Sequence, residues 1–314
     1  MASRFSYFQL HRRLYTTTTD QWSIKQVRNS NFHGCLGDLK NHISDSDFIA
    51  FFLQRTGSSS FPWHRPQPFD TLDTAYCKAK YAAEKFQILQ FSLCPFSVRD
   101  SKLIAHPYNF HLFPRDELNI GMPSYSFSCQ VSHLTSIARE DFDFGAWVYD
   151  GKPNCGQFTS VSPSLIEEKF KELRNLEDEE SKKFRGFREV IEMISASQNP
   201  IVSYSSLHEF TFIHSKFLAP LPTSIDEFAS SLHLVFPQVL EVKQLMSKIG
   251  GLSKPMSIAA ALSYLKKHYY APTYLDIPIE APGNDHKPQG HNAIRLCHLF
   301  AKVCSLLKID LSGV

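Results

Sequence analysis

The sequence predicts an α/β fold in which a mixed β-sheet is flanked by helices. An apolar run of strand length at 48–53 is followed by two further strand-like runs with short connections, whereas the second half alternates a short strand with helical segments. Strands that precede such an alternation are typical of a sheet containing both antiparallel and parallel pairs. No internal repeat interrupts this order.

The first predicted strand is the centre of the sheet. A helix over 32–44, with Leu36, Leu39 and Ile43 at helical spacing, leads into the strand 48–53. This strand is apolar on both faces, as expected of a central strand covered on each side. Because side chains alternate along a strand, Phe52 and Gln54 point the same way near its carboxyl end.

The next elements extend the sheet as a meander. After a Ser- and Pro-rich loop we predict a short helix over 79–85 and strands over 86–91 and 108–113. Their short connections favour antiparallel pairing beside the first strand.

The second half of the chain is mainly helical around one more strand. Ser164 and Glu167 form a capping-box pattern that opens a charged helical region. The further predicted elements are a helix carrying Phe184–Ile194, a strand 200–203, helices 206–217, 224–231 and 240–248, a helix capped by Ser257 and running through Leu265, a loop 271–290 and an amphipathic helix 293–307.

Composition excludes several classes of protein. No apolar run of the 314-residue chain approaches the roughly 20 residues that span a bilayer. A net charge of +2 gives no global attraction to nucleic acid, so any RNA binding must come from a local patch. The seven cysteines are scattered without a Cys-x-x-Cys pair, which favours reduced core thiols over disulfides or structural zinc.

Residues 1–20 are compositionally separate from the rest. Basic residues and many Ser and Thr precede the first acid, Asp20. This bias predicts a transit peptide and a mitochondrial location, with a disordered N-terminus and a nuclear or cytoplasmic location as the alternative.

Several motifs in a fixed order carry a family resemblance. They are Asp47-Phe48-Ile49-Ala50 with Thr56-Gly57, Ala83-Glu84-Lys85-Phe86, Gln90–Phe96, Tyr108-Asn109-Phe110, Phe113-Pro114-Arg115, Phe127–Gln130, Phe142-Asp143-Phe144, Gly186–Ile191, Ser215-Lys216-Phe217, Pro220-Leu221-Pro222 and Val235-Phe236-Pro237. In this order and spacing the chain resembles the poly(A)-specific ribonucleases (PARN), and among them the plant PARN-like proteins. The resemblance implies a ribonuclease H-like fold of the DEDD group and 3′-exoribonuclease activity on poly(A).

The resemblance also implies a domain organisation. Residues 21–314 correspond to one nuclease domain, in which 157–183 occupy the place of the family's inserted RNA-binding domain. Family members dimerise, so a homodimer or a heterodimer with an active PARN relative is expected.

The catalytic positions of the family are occupied by other residues here. The resemblance places the paired first-strand acids at Phe52 and Gln54, the helix acid at Glu209, the last acid at Asn292 and the general base at Lys287, beside His286. A further family acid falls on Glu241. One of four metal carboxylates survives, and two divalent cations need anionic oxygen ligands.

We therefore expect no catalytic residues, no metal ligands and no cofactor, with Glu209 the one surviving candidate ligand. From their places in the predicted elements, we interpret Phe52 as a core residue and Gln54 as a polar strand-end residue. We interpret Asn292 as a helix N-cap and Glu209 as a solvated first-turn acid. The leading hypothesis is a catalytically degenerate protein that acts through RNA, including poly(A), or through protein contacts.

Two alternatives remain open. One is an active Mg²⁺-dependent 3′–5′ exoribonuclease, a poly(A) deadenylase that uses Glu209, Glu241 and other acids. The other is a truncated or spliced product without function.

Overall fold

A mixed sheet forms the centre of the computed structural model, which describes residues 24–58, 67, 69–99, 102–114, 126–139, 142–153, 186–250, 256–269 and 289–309. The strands in these ranges are β1 (Lys25–Val27), β2 (Phe48–Arg55), β3 (Ile88–Arg99), β4 (Lys102–Ala105), β5 (Tyr108–Phe113), β6 (Lys152–Pro153), β7 (Ile201–Ser203) and β8 (Val239–Glu241). The helices are α1 (Phe32–Ser44), α2 (Leu72–Lys85), α3 (Val131–Ala138), α4 (Phe144–Asp150), α5 (Arg188–Ser197), α6 (Ser206–Ile213), α7 (Ile225–Val235), α8 (Val242–Ser247), α9 (Ile258–His268) and α10 (His291–Leu307).

The strand order is β1-β5-β3-β2-β7-β8, with β4 paired to β3 and β6 paired to β5. β2 lies antiparallel to β3 and parallel to β7, and β3 lies antiparallel to β5. The predicted mixed sheet and its antiparallel meander are therefore confirmed. The first predicted strand, 48–53, corresponds to β2 and has the central position that was predicted for it.

Alternate side chains of β2 enter two separate hydrophobic cores. Ile49, Phe51 and Leu53 face the core covered by α1, α2, α5 and α6. Phe48 and Ala50 face the core covered by α8, α9 and α10. A strand apolar on both faces is what burial between two helical layers requires, so this prediction is also confirmed.

Two elements are longer than predicted. α2 begins at Leu72 because Thr71 caps it, accepting a hydrogen bond from the Thr74 backbone N–H at 3.3 Å. β3 continues through Pro95 to Arg99, where it pairs with β4. Ile49, opposite Pro95, donates its N–H to Pro200 rather than to β3, so Pro95 sits at a position that forms no ladder bond with β2.

Two predicted helices differ in extent from the prediction, and the start of a third is as predicted. The helix predicted over 206–217 ends as α6 at Ile213 and continues as a π-helical turn, His214–Leu218. The segment predicted as one helix over 240–248 divides, because Val239–Glu241 pairs in parallel with β7 before α8 begins. The Ser257 cap is confirmed by its hydrogen bond from the Ala260 N–H at 3.2 Å.

Several predictions lie outside the described residues. These are the N-terminal segment 1–20, the segment 157–183, the helical pattern that begins at Ser164 and most of the loop 271–290. Within the described ranges, no helix is long and apolar enough to cross a membrane. Of the described cysteines, Cys35, Cys94, Cys297 and Cys304 are buried free thiols, whereas Cys77 and Cys129 are free but exposed.

Candidate functional site

The carboxyl end of β2 carries Phe52 and Gln54, the two positions at which the resemblance places the paired first-strand acids. Phe52 is half-buried and packs at the edge of the core beneath α10. Gln54 is also half-buried, two residues further along the same face. Across the antiparallel pair, Phe52 lies opposite Ser92 and Gln54 lies opposite Gln90.

Polar side chains on this face form what we call the amide network. Its members are Gln26, Gln90, Ser92, Asn109, His111 and Gln289. The Ser92 hydroxyl donates to Asn109 Oδ1 at 2.8 Å, and Asn109 Nδ2 donates to Gln26 Oε1 at 2.9 Å. Gln90 Nε2 donates to Gln289 Oε1 at 2.7 Å. The network is therefore built from neutral side chains on the face of the sheet that Phe52 and Gln54 share.

The amide network attaches the start of α10 to the sheet. Gly290 has a φ of +91° and is the N-cap of this helix. A Cβ atom on Gly290 would lie 2.6 Å from Asn109 Cβ, so both the backbone conformation and the close approach require glycine. Asn292 is the second residue of the helix and is half-buried, so its interpretation as the N-cap was wrong.

Glu209 is buried in the first turn of α6, with 6% of its surface exposed. Its Oε2 accepts hydrogen bonds from the Ser203 hydroxyl at 2.5 Å and the Tyr204 N–H at 3.1 Å. Burial raises the pKa of Glu209 to about 7, against the lowering effects of the Ser203 hydrogen bond and of nearby Arg55. The interpretation of Glu209 as a solvated acid was therefore wrong, because its carboxyl group closes the turn between β7 and α6.

Glu241 lies near this turn. It ends β8 directly opposite Ser203 in the parallel pair with β7. Burial raises the pKa of Glu241, and the neighbouring Lys243 opposes that shift. Two carboxyl groups whose pKa values are raised by burial therefore lie near each other, one at the end of β8 and the other in the helical turn that follows β7.

Arg55 is the last residue of β2, at an irregularity of register between Gln54 and Arg55. Its guanidinium carbon lies 5.0 Å from the centre of the Phe212 ring. Burial lowers the pKa of Arg55, and Glu209 opposes that effect. Two histidines lie nearby: burial lowers the pKa of His208 to about 4 and lowers that of His133, with Arg55 contributing in both cases.

These residues do not fit a pair of divalent cations. Magnesium and manganese require anionic oxygen ligands, which Phe52, Gln54 and Asn292 cannot supply. Glu209 uses one oxygen within its own turn and has a pKa near neutrality. In the ranges that the structure describes, no group of three or more His, Cys, Asp or Glu side chains is placed to hold a metal ion. The base position Lys287 and its neighbour His286 lie outside those ranges.

Sequence reasoning did not identify Arg55 or the amide network. One signal was present: Gln90 and Ser92 alternate with Phe91 and Leu93 in an otherwise apolar strand. This period of two places both polar residues on the face that Gln54 shares. Arg55 follows Gln54 directly, but the surroundings of its guanidinium group are set by tertiary contacts that the sequence does not show.

The described residues thus form a mixed sheet with helices on both faces and a polar site at the end of its central strand. Residues 27–293 match the model of the CAF1 family ribonucleases. In structure, the chain is similar to S. pombe Pop2p in its Mg²⁺- and Mn²⁺-bound form, with a TM-score of 0.58 and 13% identity over 91% of this chain and 94% of that chain. The chain belongs to the CAF1 ribonuclease family.

The curated relatives place it on the poly(A)-specific ribonuclease side of that family. A PARN-like poly(A)-specific ribonuclease of Arabidopsis thaliana is 36% identical over 425 residues, covering 95% of this chain and 68% of that protein. The Arabidopsis thaliana PARN is 33% identical over 57% of this chain and 25% of its own length. The alignment of 425 residues exceeds the 314 residues of this chain, so the PARN-like relative carries residues without a counterpart here.

Proposed function

We propose that this protein is a catalytically degenerate member of its family that acts in poly(A) or RNA 3′-end metabolism by binding RNA or protein. Its partners would be RNA, including poly(A), and either a second copy of itself or an active PARN relative. It would require no metal cofactor.

The observation that carries the proposal is the state of the four family metal positions. A phenyl ring and two neutral amides occupy three of them, and the fourth holds Glu209, whose carboxyl group is hydrogen-bonded within its own turn. Two divalent cations bring four positive charges, which one partly protonated carboxyl cannot compensate in a half-buried site. The two-metal mechanism therefore lacks the ligands on which it depends.

One observation favours the alternative of an active Mg²⁺-dependent poly(A) deadenylase. Glu209 and Glu241 are both shielded from solvent, and Ser203 lies between them, opposite Glu241 in the sheet and bonded to Glu209. Two acids so placed, together with groups on the substrate, would offer ligands for a single cation.

A cleavage assay separates these functions. Purified protein is incubated with 5′-labelled oligo(A) in Mg²⁺ or in EDTA, and the products are resolved on a denaturing gel. We expect the oligonucleotide to keep its full length under both conditions. Glu209→Gln, which keeps an acceptor oxygen for Ser203, is assayed in parallel.

Comparing the wild-type protein with Glu209→Gln shows whether any cleavage depends on this carboxyl group. Mg²⁺-dependent shortening that disappears in Glu209→Gln would establish the deadenylase alternative and overturn the proposal. Shortening that persists unchanged in Glu209→Gln would contradict both assignments of the site.

The segment 157–183 is proposed as a short remnant of the family's inserted domain. The flanking residues support this placement, since Lys152 lies 4.2 Å from the Phe32 ring centre and Phe187 contacts Phe110, which in turn contacts Phe32. The chain therefore leaves and re-enters the domain at neighbouring points, as a tolerated insertion requires.

We also propose a mitochondrial location, directed by residues 1–20, with the nucleus or cytoplasm as the alternative. A fluorescent protein carrying residues 1–20 at its amino terminus is expected to co-localise with a mitochondrial dye. Diffuse fluorescence would favour the alternative.

A further inference from the structure

Arg55 carries a charge that the rest of the site does not balance. Among the residues that the structure describes, its guanidinium group makes no hydrogen bond and no ion pair, and its recorded side-chain contact is the face of Phe212. The side chain is half-buried, so solvent compensates only part of its charge.

Glu209 interacts with Arg55 but does not neutralise its positive charge. Glu209 influences Arg55 electrostatically, but the two side chains form no ion pair, and Glu209 Oε2 already receives the Ser203 hydroxyl and the Tyr204 N–H. With a pKa of about 7, Glu209 also carries only part of a negative charge near neutral pH. A guanidinium group with five donors therefore remains available to an external anion.

The residues at positions 52, 54 and 55 make the charge of this site different from that of a site with paired carboxylates. Paired carboxylates at positions 52 and 54 would repel a phosphate group unless cations lay between them. Phe52 and Gln54 remove that repulsion, and Arg55, adjacent in sequence, adds a positive charge. The guanidinium carbon of Arg55 lies 5.0 Å from the centre of the Phe212 ring. Planar guanidinium groups bind phosphate oxygens through two parallel hydrogen bonds.

We propose that Arg55 is a metal-independent anchor for a backbone phosphate of single-stranded RNA at the end of β2. This inference rests on the proposed function, because it specifies how a non-cleaving relative would hold RNA without cations. His208 and His133 border the same position, and burial lowers the pKa of both imidazoles, to about 4 for His208. Both histidines therefore favour the neutral form more than a solvated imidazole does, whereas the guanidinium group of Arg55 stays charged.

The test measures binding of fluorescein-labelled oligo(A) by anisotropy in EDTA, across a series of salt concentrations. We expect Arg55→Gln to weaken binding about tenfold and to reduce the slope of log K against log salt by about 1, as for loss of one phosphate contact. Arg55→Lys keeps the charge without the fork of donors, so it should retain the slope with an intermediate affinity.

Two further variants sharpen the result. Lys40→Gln removes the same charge from an exposed position on α1 and is expected to leave both affinity and slope unchanged. Gln54→Glu adds a negative charge beside Arg55 and is expected to weaken binding in EDTA. Circular dichroism of each variant establishes that it is folded.

The outcomes separate this inference from the function on which it rests. Unchanged affinity and slope in folded Arg55→Gln would overturn the anchor while leaving a non-cleaving RNA-binding protein. Absence of any binding by the wild-type protein in EDTA would also overturn the anchor, and would leave protein contacts as the proposed mode of action. Mg²⁺-dependent cleavage by the wild-type protein would overturn the proposed function itself.

Discussion

The two ends of β2 differ in chemistry although they belong to one continuous strand. At the amino end, Phe48 is fully buried between Phe96 and Phe300, with ring centres 5.4 Å and 5.3 Å away. At the carboxyl end, Phe52 and Gln54 are half-buried, a neutral amide network lies beside them, and the Arg55 guanidinium group lies over the Phe212 ring.

This contrast shows that scaffold and chemistry can change independently. The aromatic contacts at the amino end fix α10 against the sheet, and the amide network fixes its first residues through Gln289 and Gly290. Because hydrogen bonds between neutral side chains hold the helix start here, the arrangement does not depend on metal ions. The position of the helix start therefore does not require acidic side chains at this end of β2.

The largest expected effect lies at the amino end of β2. Phe48→Ala would remove a ring that contacts two others in a closed core, so we expect a loss of about 3–5 kcal/mol in the free energy of unfolding. Chemical denaturation monitored by circular dichroism measures it. A loss below about 1 kcal/mol would show that this end is not the fixed part of the scaffold.

A smaller effect, dependent on pH, is expected at Glu209. Burial raises its pKa to about 7 from an ordinary value of 4.5, so the folded protein favours the protonated carboxyl group. The resulting contribution to stability is present below the unfolded pKa and is lost as pH rises through 7. Glu209→Gln should therefore be more stable than the wild-type protein at pH 8, by up to about 3 kcal/mol, and similar to it near pH 4.

Glu192→Gln is the matched control for this pH series. Glu192 is an exposed acid on α5, paired at the surface with Arg188 at 3.3 Å. Its substitution should change stability by less than about 0.5 kcal/mol at each pH. A Glu209→Gln profile parallel to that of the wild-type protein would contradict the burial of an uncompensated carboxyl group.

Phe52→Ala tests the same substitution at the other end of the strand. Because Phe52 is half-buried, we expect a loss of about 1–2 kcal/mol, clearly below that of Phe48→Ala. Equal losses in the two variants, compared under identical denaturation conditions, would remove the distinction between a closed core end and an open site end.

The smallest expected effect is that of Ser203→Ala. This change removes one hydrogen bond to Glu209, with an expected cost of about 1 kcal/mol. Since that hydrogen bond lowers the pKa of Glu209, its loss should raise the pKa further. Carboxyl titration followed by NMR would detect the shift, and an unchanged pKa would show that the hydroxyl group does not bind the ionised form.

The sheet was predictable where local patterns agree with the tertiary structure. The two apolar faces of 48–53 predicted a covered central strand, and Ser257 predicted the start of α9 correctly. The extent of β3 was not predictable, because tolerance of Pro95 depends on which backbone groups face β2. The three-residue strand β8 likewise exists through its pairing with β7 rather than through its own sequence.

The sequence predicted where in the fold residues 52, 54 and 292 lie, but not which side chains contact Glu209 and Arg55. The sequence places neutral side chains at 52, 54 and 292, and the structure describes each of these at or beside the end of β2 or the start of α10. The burial of Glu209 was missed because a first-turn acid is ordinarily solvated, and the sequence does not show that the Ser203 hydroxyl donates a hydrogen bond to its carboxyl group. Arg55 was missed for the corresponding reason, because the sequence does not show which of the described side chains surround its guanidinium group.

Calorimetric titration of the wild-type protein with Mn²⁺ and then Mg²⁺ tests the central claim most directly, because it measures metal binding at the end of β2 without requiring a substrate. We predict no saturable heat at millimolar cation, in the wild-type protein and in Glu209→Gln alike. Saturable binding by the wild-type protein that Glu209→Gln abolishes would contradict the account, since it would show that the site still holds a catalytic cation.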